Sequence, residues 1–342
     1  MKILVRATNW IGDAVMSLPA ITAIRGSFPD AKITVLARPW VADIYARQTA
    51  IDRVIPYRAA RGARDLSAKW ELAKQLRSEA FDCAILLQNA FEAALLARLA
   101  GIPRRIGYDR DGRGWLLTHP IAVPKASEIP RHQSFYYLEL LRRAGILDAL
   151  PETQTIRLDG IDQAIARGAS RFAELGTDLP VIGVSPGAAY GGAKRWMADG
   201  FADAATHVAL QESASVALFG SESERPLCDA IAESVQTRGV KVISLAGRTT
   251  LREFIDLAAA CRLFLTNDSG AMHIASAVGV RTVAVFGATD DIATGPTGPL
   301  ARVVRQDVDC SPCLLRECPI DHRCMTRVTP DRVAAVAMDL LR

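Results

Sequence analysis

The sequence predicts an α/β protein made of two doubly wound, parallel-sheet domains. Three observations carry this. Short apolar runs alternate with helical patterns from residue 2 to residue 108. The alternation stops across 147–180, where Pro151 and Pro180 bracket Gly160, Gly168 and Gly176 around a single helical stretch. It then restarts at Val181. With 342 residues, half of them hydrophobic, the chain is long enough to bury two cores.

In the first half, strands are expected at 2–7, 32–37, 53–57, 83–87 and 105–108, with helices over 14–25, 41–47, 66–80 and 91–99. Leu72, Leu76 and Ala80 recur at the spacing of one helix face. The break contains one helix over 162–175, and the domain boundary falls near 155–178. The expected domains are therefore 1–160 and 175–328, followed by a terminal helix over 329–342. In the second half, strands are expected at 181–185, 215–219, 241–245, 263–265 and 282–286, with helices over 200–211, 227–237 and 251–260. Thr329-Pro-Asp-Arg marks the last helix start, with proline at the first helical position.

The stretch from Leu263 to Gly279 organises the second half. It reads as strand, tight turn, helix and glycine stop. Asn267, Asp268 and Ser269 are N-cap residue types ahead of an apolar helical pattern. Asp-Ser-Gly at a helix N-terminus brings free N–H groups together with the positive end of the dipole, an arrangement suited to phosphate. An ordinary capped helix has the same sequence features. In doubly wound sheets, ligands lie beyond the C-terminal strand ends. The informative turns all fall there: 8–13, 186–196, 220–224 and 266–270.

Asp13, after Gly12 in the first strand–helix turn, is a helix-start carboxylate and a candidate general base. Only one glycine lies between Ala7 and Ala14, so the dinucleotide fingerprint is missing, and no P-loop is present. In 186–196, Gly187, Gly191 and Gly192 are expected to let the backbone approach a ligand, with Lys194 and Arg195 beside them. That loop suits a departing diphosphate. Glu222 and Glu224, after a strand end, are candidates for ribose hydroxyls. Cys310, Cys313, Cys318 and Cys324, with His322 nearby, form a cluster that could hold a structural zinc or stand as free thiols.

Net charge is +4, with +7 in residues 1–159 and −3 in 160–342. The basic half suits a phosphorylated or anionic partner, and the excess is too scattered for nucleic acid. No apolar run reaches the ~18 residues of a membrane span. The first six residues are too short and too charged for a signal peptide, and the seven cysteines suggest thiols, so a cytoplasmic protein is expected.

Three motifs resemble the ADP-heptose–LPS heptosyltransferase family: Ala7-Thr-Asn-Trp-Ile-Gly-Asp-Ala-Val-Met-Ser-Leu-Pro19, Ser185-Pro-Gly-Ala-Ala-Tyr-Gly-Gly-Ala-Lys-Arg-Trp196 and Thr266-Asn-Asp-Ser-Gly-Ala-Met-His-Ile-Ala275. The resemblance spans nearly the whole chain and points most closely to the branch that adds the second heptose. It implies a GT-B architecture of two Rossmann-like domains facing a cleft, acceptor on the first and nucleotide sugar on the second, with the last helix returning to the first domain. It implies an inverting transfer of L-glycero-D-manno-heptose from ADP-heptose to the first heptose of the lipopolysaccharide inner core, with no metal or other cofactor. Asp13 matches the base, Lys194 the lysine at the donor phosphates, and Asp268, Ser269, Gly270 and His273 the donor-binding motif. Glu222 and Glu224 both stand near the ribose-binding acidic position. Gly192 replaces a proline found in some relatives. Arg58, Arg61 and Arg64 are candidates for acceptor phosphates. The implied setting is the cytoplasmic face of the inner membrane, in peripheral contact with it. A heptosyltransferase with another core acceptor and a non-catalytic nucleotide-sugar-binding protein are the alternatives. Asp109-Arg-Asp111 and Asp307-Val-Asp309 carry the D-x-D pattern of some metal-dependent glycosyltransferases, a pattern that charge-rich loops produce by chance.

Overall fold

The computed structural model of the chain describes residues 1–58, 63–152, 155–177 and 180–342. The chain divides into two compact units, Met1–Gln154 and Thr155–Arg342. In the first unit the elements are β1 (Lys2–Arg6), α1 (Ile11–Met16), α2 (Leu18–Ser27), β2 (Lys32–Ala37), α3 (Pro39–Ala46), β3 (Arg53–Pro56), α4 (Ala63–Ser78), β4 (Cys83–Leu86), α5 (Phe91–Leu99), β5 (Arg104–Tyr108), β6 (His119–Ile121) and α6 (Gln133–Arg143). The strands form a six-stranded parallel sheet in the order β3-β2-β1-β4-β5-β6. Central strands read as continuous apolar runs because helices cover both sheet faces; Ile3 pairs with Ile33 on one side and Cys83 on the other, and all three are buried.

The single helix expected over 14–25 is two. Ser17 closes α1, and Pro19 stands in the first turn of α2. Proline has no N–H to continue the ladder, so the chain restarts instead. β6 and α6 lie outside the strands and helices read from the sequence. β6 is a short His-Pro-Ile edge strand, the position where a sheet tolerates proline. α6 buries Glu139 among its apolar residues, with Arg142 at 2.7 Å and Arg143 at 2.6 Å compensating the charge, which blurs its apolar stripe.

In the second unit the elements are α7 (Ile161–Glu174), β7 (Val181–Ser185), α8 (Ala198–Gln211), β8 (Ser215–Leu218), α9 (Arg225–Gln236), β9 (Val242–Ser244), α10 (Leu251–Ala259), β10 (Leu263–Asn267), α11 (Gly270–Ala277), β11 (Arg281–Phe286), α12 (Asp291–Thr294), β12 (Ala301–Arg305), α13 (Arg323–Thr326) and α14 (Pro330–Leu341). This sheet is also six-stranded and parallel, ordered β12-β11-β10-β7-β8-β9. The helix from the linker region, α7, belongs to this unit. It packs on α10 so closely that a Cβ on Gly168 would lie 2.0 Å from the Asp256 carbonyl oxygen, and Arg167 clasps the Asp256 carboxylate at 2.8 and 3.0 Å.

The terminal helix has partners within its own unit. α14 packs on α8, β11 and β12, and its Val333, Ala334 and Ala337 join the core containing Phe201, Val208, Met325 and Val328. Those three residues form the apolar face that a capped surface helix must bury, and Thr329 caps it by accepting the N–H of Arg332 at 3.4 Å.

Counted from its own first strand, each sheet has the order 3-2-1-4-5-6. The strand order reverses between β1 and β4 in one unit and between β7 and β10 in the other. Those two crevices are where doubly wound sheets bind ligands.

Candidate functional site

The second unit gathers its polar turns at the β7/β10 reversal. Asn267, fully buried at the end of β10, accepts the N–H of Trp196 at 2.8 Å and donates to the Pro186 carbonyl at 2.6 Å. It therefore clamps both ends of the 186–196 loop to the sheet. Asp268 is buried and takes the Lys194 ammonium at 2.6 Å and the Thr289 hydroxyl at 2.5 Å on the same oxygen. Lys194 also lies 4.9 Å from the centre of the Tyr190 ring. An ammonium has three donors, so this pairing leaves capacity for a further anion.

Asn267 and Asp268 are therefore not helix caps, as the sequence pattern suggests; the loop claims both. Ser269 takes the N-cap position, at φ −149° and ψ 170°, and its side chain makes no capping bond. The Ser269 hydroxyl is 3.2 Å from that of Thr266. The first N–H groups of α11, beginning at Gly270, have no carbonyl partner within the helix and point outward from its positive end. His273 follows one turn in, buried on α11.

The glycines of the loop serve another purpose than the sequence suggests. A Cβ on Gly191 would meet the Arg316 carbonyl oxygen at 2.2 Å, and one on Gly192 would meet the Glu317 carboxylate at 2.4 Å. Their close approach is to the protein's own 314–322 segment, and the positive φ of Gly191, +157°, adds to the demand for glycine. Gly187 is packed against Glu224, whose Oε1 would lie 2.0 Å from an added Cβ.

The two candidate ribose carboxylates part company. Glu224 closes a capping box, its Oε2 accepting the N–H and hydroxyl of Ser221 at 2.8 Å each, and its other oxygen faces Gly187 of the loop. Glu222 is exposed, pairs with Arg225 at 2.5 Å and lies against Gly247 beyond β9. The structure thus brings together Lys194, Asp268, Ser269, Gly270 and, through Gly187, Glu224.

In the first unit, Asp13 occupies the first turn of α1, after β1 and beside the β1/β4 reversal. The Tyr137 hydroxyl of α6 donates to Asp13 Oδ1 at 3.1 Å. Tyr137 is buried, and burial together with the Asp13 charge pushes its ionisation well above the ordinary tyrosine range, so it stays a donor. Sequence reading missed Tyr137, because α6 itself was not read.

It also missed a buried basic cluster at the same strand ends. Arg6, at 2% exposure, donates to the Ala7 carbonyl at 2.5 Å, to Asn9 at 3.2 Å and to the Tyr57 hydroxyl. Burial lowers its affinity for the proton. Arg38 stacks 4.3 Å from the Tyr57 ring centre and reaches Glu92 at 3.4 Å. The signal was available: an arginine closing the buried apolar run Ile3–Val5 has to find partners inside the fold. Arg58 lines a neighbouring cavity of about 420 Å³ with Lys69, Tyr57 and Gln75. Arg61 and the side chain of Arg64 lie outside the described residues.

The cysteine cluster splits by depth. Cys310 and Cys313 are exposed, Cys318 is partly covered and Cys324 is buried. Among the described residues, no three His, Cys, Asp or Glu side chains converge as a metal-binding group. The His322 ring is taken by the Ala193 carbonyl at 3.0 Å. No helix among the described residues is long and apolar enough to cross a membrane.

Two doubly wound units, each with chemistry-bearing turns at its strand-order reversal, match the GT-B architecture of solved glycosyltransferases. Residues 69–323 match the family model described as glycosyltransferase family 9 (heptosyltransferase), and the chain belongs to that family. The lipopolysaccharide heptosyltransferase 2 of Escherichia coli (strain K12) is 31% identical over 309 residues, covering 89% of this chain and 88% of the relative. The lipooligosaccharide heptosyltransferase 2 of Haemophilus ducreyi (strain 35000HP) is 30% identical over 355 residues, covering 100% and 99%. The solved structure of E. coli ADP-heptose lps heptosyltransferase II superimposes with a TM-score of 0.85 at 29% identity, covering 100% of this chain and 98% of that one.

Proposed function

We propose that this glycosyltransferase transfers L-glycero-D-manno-heptose from ADP-heptose to the first heptose of the lipopolysaccharide inner core, inverting the anomeric carbon. The observation that carries the donor side is the Lys194–Asp268–Thr289 cluster at the uncapped head of α11. A diphosphate there would accept from Lys194 and from the N–H groups of Ser269 and Gly270 at the head of α11, which offset the charge that grows as ADP leaves. Asp268 fixes the ammonium, and His273 lies one turn behind on the same helix. Glu224, facing Gly187, is the better placed carboxylate for the ribose hydroxyls; Glu222 is paired elsewhere.

A single displacement breaks the bond from the anomeric carbon to the ADP oxygen and forms the bond to the acceptor hydroxyl, whose proton needs a base. We assign that role to Asp13, oriented by the Tyr137 hydroxyl. Asp13→Ala is expected to keep ADP affinity and lower turnover by ~10²-fold or more; near-normal turnover would remove Asp13 from the role. The chain supplies its own cation, Lys194, at the diphosphate, and the proposed transfer needs no metal. Activity should persist in excess chelator, and a loss restored by a divalent cation would overturn this point.

The similarity to heptosyltransferases named for the second step supports the choice of acceptor. Incubation with ADP-heptose and a panel of defined core acceptors, read by mass spectrometry, tests it: ADP release is expected only with an acceptor already carrying one heptose. Transfer to the acceptor lacking heptose would assign the first step instead. Because that acceptor is lipid-anchored, we place the protein in peripheral contact with the cytoplasmic face of the inner membrane, with Arg58 and Lys69 meeting acceptor phosphates. Failure to co-sediment with acceptor-containing vesicles would overturn this placement.

A further inference from the structure

The 186–196 loop is held from outside the sheet by the cysteine-rich segment before α13. Tyr190 donates its hydroxyl to the Leu314 carbonyl at 2.8 Å. The Gly192 N–H donates to Glu317 Oε1 at 2.9 Å, and the Ala193 N–H donates to the Arg316 carbonyl at 2.9 Å. The Ala193 carbonyl can only accept, so the His322 ring N–H at 3.0 Å is the donor. The peptide groups immediately before Lys194 are thus spent on residues 316–322. Arg316 also lies 5.1 Å from the centre of the Tyr190 ring, the ring that Lys194 approaches. The segment is itself anchored: Leu314 N–H reaches the Ala288 carbonyl at 2.8 Å, and the Ser311 hydroxyl reaches the Gly287 carbonyl at 2.6 Å.

We propose that residues 314–322 form a strap that fixes the Lys194 loop, and that Glu317 and His322 are positioning residues for donor binding and transfer. The proposal rests on the reading of Lys194 as the donor-phosphate cation. Glu317 is exposed, so its contribution to the core is small, and its contact is a charge-assisted hydrogen bond to a backbone N–H that nothing in the sheet replaces. Losing it frees the turn that aims the ammonium, and small displacements of a binding group are costly in transfer reactions.

The test uses the full-length protein with Glu317→Ala, Glu317→Gln and His322→Asn. The Gln variant keeps an acceptor oxygen. Asn at 322 tolerates the left-handed backbone there, at φ 56°, but cannot reach the Ala193 carbonyl. Hydrogen exchange over 190–195, ADP affinity by calorimetry, and donor and acceptor KM are measured on each. Glu317→Ala and His322→Asn are expected to speed exchange in the loop, to weaken ADP about tenfold and to raise donor KM by a similar factor. Acceptor KM and thermal midpoint should hold, and Glu317→Gln should recover most of the loss. Unchanged exchange in both loss variants overturns the strap, and faster exchange with unchanged ADP affinity and donor KM overturns the positioning role. Wild-type protein that binds no ADP overturns the functional reading itself and takes the positioning role with it.

Discussion

Tyr137 and Asp13 show how single residues here act in pairs. The carboxylate sits where many helices carry an acidic residue for electrostatic reasons alone. The phenol from α6 distinguishes it, because a buried hydroxyl held in its protonated form keeps its proton to donate to the carboxylate. Tyr137→Phe should leave ADP affinity intact and lower turnover by roughly tenfold, about the value of one hydrogen bond to a charged group. Unchanged turnover would show that the hydroxyl does not orient the base. On the donor side, Asp268 was legible as a functional residue but not in its role. Its identity suggests a cap, and only the fold reveals that Lys194, 74 positions away, claims the carboxylate first. Glu222 and Glu224 were indistinguishable in the sequence for a similar reason. The capping box itself is local, Ser221 with Glu224, and the meeting of Glu224 with Gly187 depends on where the 186–196 loop lies.

At the scale of elements, the α7–α10 crossing limits what the second unit tolerates. Gly168 lets the helices touch backbone to backbone, and the Arg167–Asp256 clasp closes the same contact. Gly168→Ala gains helix propensity yet should destabilise by about 1–3 kcal/mol through overpacking. Thermal unfolding should register this as a fall of about 2–4 °C for each kcal/mol; an unchanged midpoint would mean that the crossing opens without penalty. The elements that sequence reading located best were the buried central strands. β2 and β7 match their expected bounds, because a run buried on both faces is unambiguous when short and flanked by turn residues. Edge elements were harder. β6 contains a proline, β12 sets two arginines among three apolar residues, and α6 hides a buried carboxylate.

For the molecule as a whole, the depth of its thiols gives a direct check. Burial pushes the Cys83 thiol up to about 11 and the Cys228 thiol up to about 12, and raises Cys261 as well. The thiolate is the reactive form, so these three should resist alkylation until the units unfold. Cys310 and Cys313, exposed on the segment that leads into the strap, should label first in the native protein. Peptide mapping after a short pulse of alkylating reagent measures this, and labelling of Cys228 as fast as Cys313 would contradict the packed second core.

By itself the sequence determined the two doubly wound sheets and the turns that carry Asp13, Lys194 and Asp268. Those follow from local physics: apolar periodicity, helix-start chemistry and the placement of glycine and proline. Only the tertiary structure decided which partners those residues meet. It drew Lys194 to Asp268, gave Tyr137 to Asp13, turned the loop glycines toward residues 316 and 317, and seated the last helix on its own unit. A hydrogen bond or ion pair across many tens of residues depends on strand order and register, and no local pattern records those.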